Sequence, residues 1–370
     1  MACCVWVGLA ACGRIGFESS SVPNVIDGLP PDAPGATTCF GPPGWSVCLT
    51  ALPTQPLTLP GSIDTSASAS MCSSDASIVG QPSLCFVVAT DLAITSNVRV
   101  TGDRALVLVA TNAITVDALL DVSAHSTGTD GPGGRESSAC STFPTAPELD
   151  NSGGGGGAGG SFLTKGGKGG TGNANAAAGG TPPSGSAGPS VLRPGCAGQN
   201  GGDGIGASSH CTGGSGGGGV YLVADHAIVV GPNGTISASG AAGSCLTPGQ
   251  YYGGGGGGGS GGTIVLYASM VTTMSGAVVL ADGGGGAAGS SSSRLGDRGA
   301  EPSNPMVQAA GGASPGGTGG AGYAVASGAS GAGPGGANAG GGGGGGGAGY
   351  VRSSAALGVA NVSPPVTIIP

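Results

Sequence analysis

Three serines, Ser215, Ser260 and Ser314, sit in the Gly-x-Ser-x-Gly frame from which hydrolases build a nucleophile elbow. That chemistry needs the frame once, on a sharp turn from a strand into a helix, so that the hydroxyl stands clear of the backbone. Three copies in a chain with 86 glycines argue for coincidence. Phosphate cradles fail in a similar way: Lys168 follows Gly167 but precedes Gly169, where a P-loop places Ser or Thr, and the Gly-x-Gly-x-x-Gly matches open no helix. Gly201-Gly-Asp-Gly204 matches part of a calcium-binding nonapeptide, a site that needs consecutive copies.

Carboxylates and histidines are equally sparse. Polysaccharide cleavage requires acidic groups clustered on one face, whereas Asp91, Asp117, Asp121, Asp225 and Asp282 are scattered, and strand-end aspartates generally serve turns. Asp225 and His226 adjoin on one predicted strand and so face opposite sides. A metal site has only His125, His210 and His226 to draw on, no Cys-x-x-Cys occurs, and the adjacency of His210 and Cys211 suits two ligands of one ion poorly. No catalytic residue, cofactor or metal site is therefore assigned.

Cysteine usage carries more. Residues 5–11 are apolar and lead into Leu9-Ala-Ala-Cys-Gly13, the lipobox pattern in which Cys12 is diacylated and becomes the new N-terminus. The residues ahead of Cys12 depart from a secretory signal in lacking Lys or Arg. Lipid on Cys12 anchors a protein stably, and Gly13 after it is compatible with the outer membrane. With Cys3 and Cys4 leaving in the signal, eight cysteines remain: Cys39, Cys48, Cys72, Cys85, Cys140, Cys196, Cys211 and Cys245. An even set fits disulfides made in an oxidising compartment. The local pairs Cys39 with Cys48 and Cys72 with Cys85 are favoured, because each closes a short loop containing Gly or Pro.

The elements that must position these residues read as strands. Residues 86–124 and 220–283 hold short β-branched runs punctuated by Gly and Asn, which is strand and turn chemistry. Residues 220–240 and 263–283 are two versions of one phrase, each a strand, a bend and a strand. Ala-Thr recurs at Ala89 and Ala110, and Ile-Thr at Ile94 and Ile114, a spacing of about one coil of 20 residues in a parallel β-solenoid. The sequence thus predicts an all-β chain: a signal peptide over 1–12, a flexible tether over 13–38, a disulfide-stapled cap over 39–84 closing the open end, and a solenoid over 85–370. Glycine-rich excursions interrupt it at 125–219, 241–262 and 284–349. They are either solvated loops or extended glycine strands packed side by side, and in the second form they resemble the polyglycine II bundles of springtail antifreeze proteins and phage tail-tip adhesins.

Composition sets the outer bounds. Only 8% of the 370 residues are charged and 4% aromatic, which excludes most ordinary enzymes. The net charge of −8 leaves no basic surface for nucleic acid or anionic lipid. A mean hydropathy of +0.24 is too apolar for a solvated disordered chain. Cys12-Gly-Arg-Ile-Gly-Phe17, Trp45-Ser-Val-Cys48, Ser62-Ile-Asp-Thr65 and Leu106-Val-Leu-Val-Ala110 resemble a recurring type of glycine-rich lipoprotein from myxobacteria, a likeness that spans nearly the whole chain. The excursions are similar in composition to the PGRS proteins of mycobacteria. Neither resemblance implies an enzyme. The expected function is an exported, lipid-anchored structural or adhesion protein at the outer membrane or cell surface, meeting surface polysaccharide or other cells; the competing expectation is a carbohydrate-active β-helix enzyme or a carbohydrate-binding protein.

Overall fold

The computed structural model describes residues 37–81, 84–134, 140–186, 188–204, 211–245, 251–325, 327–358 and 361–369. The signal peptide, Cys12, nearly all of the tether and His210 lie outside them. The strands are β1 (Thr38–Phe40), β2 (Val47–Leu49), β3 (Leu57–Thr58), β4 (Ser62–Asp64), β5 (Ala76–Ile78), β6 (Leu84–Ile94), β7 (Val98–Thr101), β8 (Ala105–Val116) and β9 (Leu119–Asp121). They continue as β10 (Gly219–Ala224), β11 (Ala227–Val230), β12 (Thr235–Ser237), β13 (Thr263–Tyr267), β14 (Met270–Thr273), β15 (Val278–Leu280), β16 (Tyr350–Ser353), β17 (Val362–Ser363) and β18 (Thr367–Ile368). The fold is all-β. Among the described residues no helix is long and apolar enough to cross a membrane.

Two parallel sheets share the work. One holds β6, β8, β10, β13 and β16 in succession, with β11 and β14 beside them; the other runs β4, β7, β9, β12, β15, β17. The chain therefore alternates between the two sheets, β10 with β11 and β13 with β14 each making one visit to the first as the two halves of β8 do, and each strand pairs with its counterpart from the next pass of the chain. The two phrases read from the sequence stack in register: Val220 opposite Ile264, Ile228 opposite Val271, Ile236 opposite Val279. One expected ladder is displaced. Ala89 does face Ala110, but a bulge follows, so Ile94 faces Val116 and Ile114 faces Leu92. One extra residue in β8 causes it, since two residues then stand opposite one.

Leucine, isoleucine and valine side chains fill the space between the sheets, among them Leu92, Val100, Leu108, Ile114, Leu120, Leu222, Ile236 and Ile264. β8 is buried throughout Ala105–Ala110 because its opposite face is covered too. There β1, β2 and β5, an antiparallel trio, set Val47, Leu49 and Ile78 against Val107, Val109, Tyr221 and Val265. This corrects one part of the expected cap. The trio lies on the outer face of the first sheet, not over the end of the stack, because the outward residues of that sheet are themselves apolar and need cover. The end of the stack is formed by β3 against β6 and β4 against β7, two strands that belong to the segment 39–84 expected to close it.

The glycine tracts are continuous with the strands. Residues 253–262 run into β13, 340–349 into β16, and 238–243 and 281–289 leave β12 and β15. Parallel pairing hands neighbouring tracts over already at hydrogen-bonding distance. In residues 340–347 every amide and every carbonyl is bonded, and the direction turns with a period of three. The amides of Gly341, Gly344 and Gly347 donate to Gly154, Gly157 and Gly160; those of Gly340, Gly343 and Gly346 to Ser290, Ala287 and Gly284; those of Gly342 and Gly345 to Gly333 and Ser330. The carbonyls accept, with the same period, from Gly255, Gly258 and Gly261, from Gly317, Gly320 and Tyr323, and from Gly170 and Gly167. A three-residue turn is the period of an extended PPII chain. Such neighbours leave no room for side chains: a Cβ on Gly345 would lie 1.9 Å from the Ala321 carbonyl oxygen.

Candidate functional site

Outward residues of the second sheet form the floor of a groove of about 320 Å³. Strand alternation sends Leu120, Ile236 and Val279 into the core, so their neighbours Leu119 and Asp121, Thr235 and Ser237, Val278 and Leu280 face out. The register aligns Leu119, Thr235 and Val278 in one row and Asp121, Ser237 and Leu280 in the next. Ser123, His125 and Ser239 extend the same faces beyond the strand ends, and Glu301, Pro302 and Ser303 from the third excursion make the wall.

A charged cluster joins wall to floor. The His125 ring reaches Asp121 Oδ2 through Nε2 at 3.0 Å and Glu301 Oε2 through Nδ1 at 2.6 Å. Glu301 Oε1 accepts from the Ser126 amide at 2.6 Å and its hydroxyl at 2.8 Å. Arg99 stands opposite Asp121 on the neighbouring strand, with Nη1 2.9 Å from Oδ2. That nitrogen lies off the hydrogen-bonding direction, so the contact is coulombic.

Each charge is held by the others. The bond to Asp121, then the bond to Glu301, raises the His125 pKa to about 9 against the opposing effect of burial. Burial works to raise Glu301, but its bonds to His125 and Ser126 outweigh it and bring it to about 2. Asp121 is likewise lowered: burial opposes, while the His125 bond, the Arg99 charge and the Ser123 amide prevail. The cluster is thus two cations and two anions at neutral pH. An imidazolium with both nitrogens engaged does not serve as a general base there, and two carboxylates held low do not supply the protonated acid of glycoside hydrolysis. Among the described residues no group of three or more His, Cys, Asp or Glu is arranged to hold a metal ion.

Below the cluster lies a chain of hydroxyls. Ser123 Oγ is 2.7 Å from Ser237 Oγ, which is 3.2 Å from Ser239 Oγ, and the Ser239 amide donates to Ser123 Oγ at 3.1 Å.

The other residues singled out by sequence lie elsewhere. Asp225 and His226 occupy the bend between β10 and β11, outside the strand expected to hold them; both are exposed, with Nδ1 3.4 Å from Oδ2. They are therefore neighbours, not residues on opposite faces. Asp91 accepts from Asn112 at 2.6 Å on the surface. Asp282 is fully buried, accepts from Ser363 at 2.5 Å through one oxygen, and is pushed up to about 7 by burial despite that bond. Ser260 is buried and bonded to the Cys196 backbone, on no strand-to-helix turn. The eight cysteines pair as Cys39–Cys48, Cys72–Cys85, Cys140–Cys196 and Cys211–Cys245. Four disulfides fit an oxidising, extracytoplasmic setting.

Asp121 and His125 were visible as candidates, and the alternation Asp121, Ser123, His125 was a readable sign that they share a face. Nothing in the sequence pointed to Glu301, which arrives from 176 positions away. Compared with protein-family models, curated proteins and solved structures, the chain matches none.

Proposed function

We propose that this chain is an exported, lipid-anchored surface protein with a structural or adhesive role and no catalytic activity. In this reading the two parallel sheets are the walls of a β-solenoid, and the glycine tracts are a polyglycine II bundle bracing one side of it. The observation that carries the reading is the tract at residues 340–347, bonded at every amide and carbonyl to surrounding tracts. A large share of the chain is spent on a rigid, nearly side-chain-free body, which suits display or mechanical support and offers little to chemistry. The four disulfides and the lipobox at Cys12 support export, and the likeness to myxobacterial glycine-rich lipoproteins agrees with it.

The rival reading, a polysaccharide-cleaving enzyme, draws on the groove and its two carboxylates. It is disfavoured because both are held ionised by the same imidazolium. Membrane fractionation of the wild type and Cys12→Ala in a Gram-negative host tests the anchor: the wild type partitions with membranes and the variant is released. Unchanged partitioning refutes the anchor, and cleavage of any acidic or neutral polysaccharide by the purified protein refutes the non-catalytic role.

A further inference from the structure

The groove over the second sheet has more polar capacity than its own residues use. Ser123, Ser237 and Ser239 are 5%, 8% and 2% exposed and bring three hydroxyl protons. Two hydroxyl-to-hydroxyl contacts consume two of them. Whichever way these hydrogen bonds run, one proton is left over, on Ser123, Ser237 or Ser239, and all three residues line the groove. The carboxylates are left with the opposite capacity. A carboxylate offers about four acceptor positions; Asp121 receives His125, the Ser123 amide and the Arg99 charge, and Glu301 receives His125 and two bonds from Ser126. A donor and acceptors thus stand side by side within one recess.

The remaining lining restricts what fits. Leu119, Val278, Leu280 and Pro302 give aliphatic surface between the polar groups. With His125 protonated, the charges of Arg99, His125, Asp121 and Glu301 cancel, so the cluster as a whole carries no net charge to attract an ion. Its volume lies at the small end of ligand sites, which begin at about 300 Å³. A molecule whose surface alternates hydroxyls that both donate and accept with patches of C–H, and which carries no net charge, matches each of these features.

We propose that the groove formed by Leu119, Asp121, Ser237, Ser239, Leu280 and Glu301 is a binding site for an uncharged saccharide segment of one or two rings. Ring hydroxyls accept the surplus serine proton and donate to the free carboxylate positions, while the ring C–H faces rest on the aliphatic floor. The groove variants and Cys12→Ala change different residues, so sugar binding and membrane partitioning are read independently.

The test uses the full chain produced in an oxidising compartment, with titrations of neutral di- and trisaccharides of hexoses and N-acetylhexosamines followed by ligand-observed NMR or calorimetry. Matched uronate and phosphorylated sugars form the charged arm, and the parent polymers show whether the occupant is a free sugar or part of a chain. At least one neutral oligosaccharide binds, and its charged analogue binds no more tightly. Thr235→Trp, which fills the groove, weakens binding more than tenfold, and the triple variant Ser123→Ala, Ser237→Ala, Ser239→Ala weakens it about fivefold, the value of one hydrogen bond. Urea unfolding of each variant separates loss of the site from loss of the fold. The proposal is overturned if no neutral sugar binds the wild type, if a charged analogue is preferred tenfold, or if binding persists unchanged in either variant.

Discussion

Placing one methyl group at residue 343 tests the glycine bundle directly. A Cβ on Gly343 would stand 2.0 Å from the Gly256 oxygen, 2.3 Å from its carbonyl carbon and 2.8 Å from the Gly257 nitrogen. Real Cβ contacts do not fall below 3.0 Å, so the two tracts must part by about 1 Å. The bonds on either side, Gly255 to Gly341 at 2.8 Å and Gly258 to Gly344 at 2.9 Å, then stretch to about 3.8 Å and are lost as hydrogen bonds. Two buried pairs left unmet cost about 1–3 kcal/mol each, or about 2–6 kcal/mol in all. That is a large part of the roughly 5–15 kcal/mol by which a domain is stable. Gly336, with no atom near its would-be Cβ, is the internal control; there alanine reduces the freedom of the unfolded chain and stabilises by about 0.4–1 kcal/mol. Urea unfolding of Gly343→Ala and Gly336→Ala with disulfides intact gives both numbers. If Gly343→Ala unfolds within about 0.5 kcal/mol of the wild type, the tracts do not pack as described.

Three further outcomes follow from the same structure. Replacing both Cys140 and Cys196 with alanine, which opens a separation of 56 residues, lowers stability by about 4 kcal/mol, against about 2.5 kcal/mol for Cys39 with Cys48 at a separation of 9, as compared by thermal unfolding; equal losses contradict the loop-entropy account. The clasp of His125 on Glu301 and Asp121 has a pH window. The raised histidine contributes fully below its ordinary value of 6.5 and loses its contribution as pH climbs through about 9, whereas Glu301 contributes above 4.5 and loses its contribution as pH falls through about 2. Stability measured between pH 6.5 and 9 therefore declines in the wild type and declines less in Glu301→Gln. Asp282 acts in the same direction as His125 and opposite to Glu301, since burial holds it protonated: as pH rises from 3.8 to about 7 the unfolded chain ionises there first and stability falls, and Asp282→Asn flattens the stability profile across that interval.

What the sequence determined by itself was the class and the rhythm. β-Branched runs of few residues with Gly and Asn at the bends favour strands, and the near-repetition of residues 220–240 in 263–283 announced that the two segments stack, although laying the phrases end to end sets Val220 against Thr263, where the structure sets it against Ile264. The local cysteine pairs were legible for the same reason, because a loop of a dozen residues closes at low entropic cost. Tertiary structure alone decided three things. The length of the bulge in β8 reset the ladder at Ile94, a matter of one residue that local propensity does not register. The trio of β1, β2 and β5 settled on the sheet face because Val107, Tyr221 and Val265 jointly present an apolar surface that no single strand reveals. Glycine runs carry no side-chain pattern at all, so whether residues 340–347 order depends wholly on partners drawn from distant tracts, and the clasp that brings Glu301 to His125 exists only once those tracts have packed.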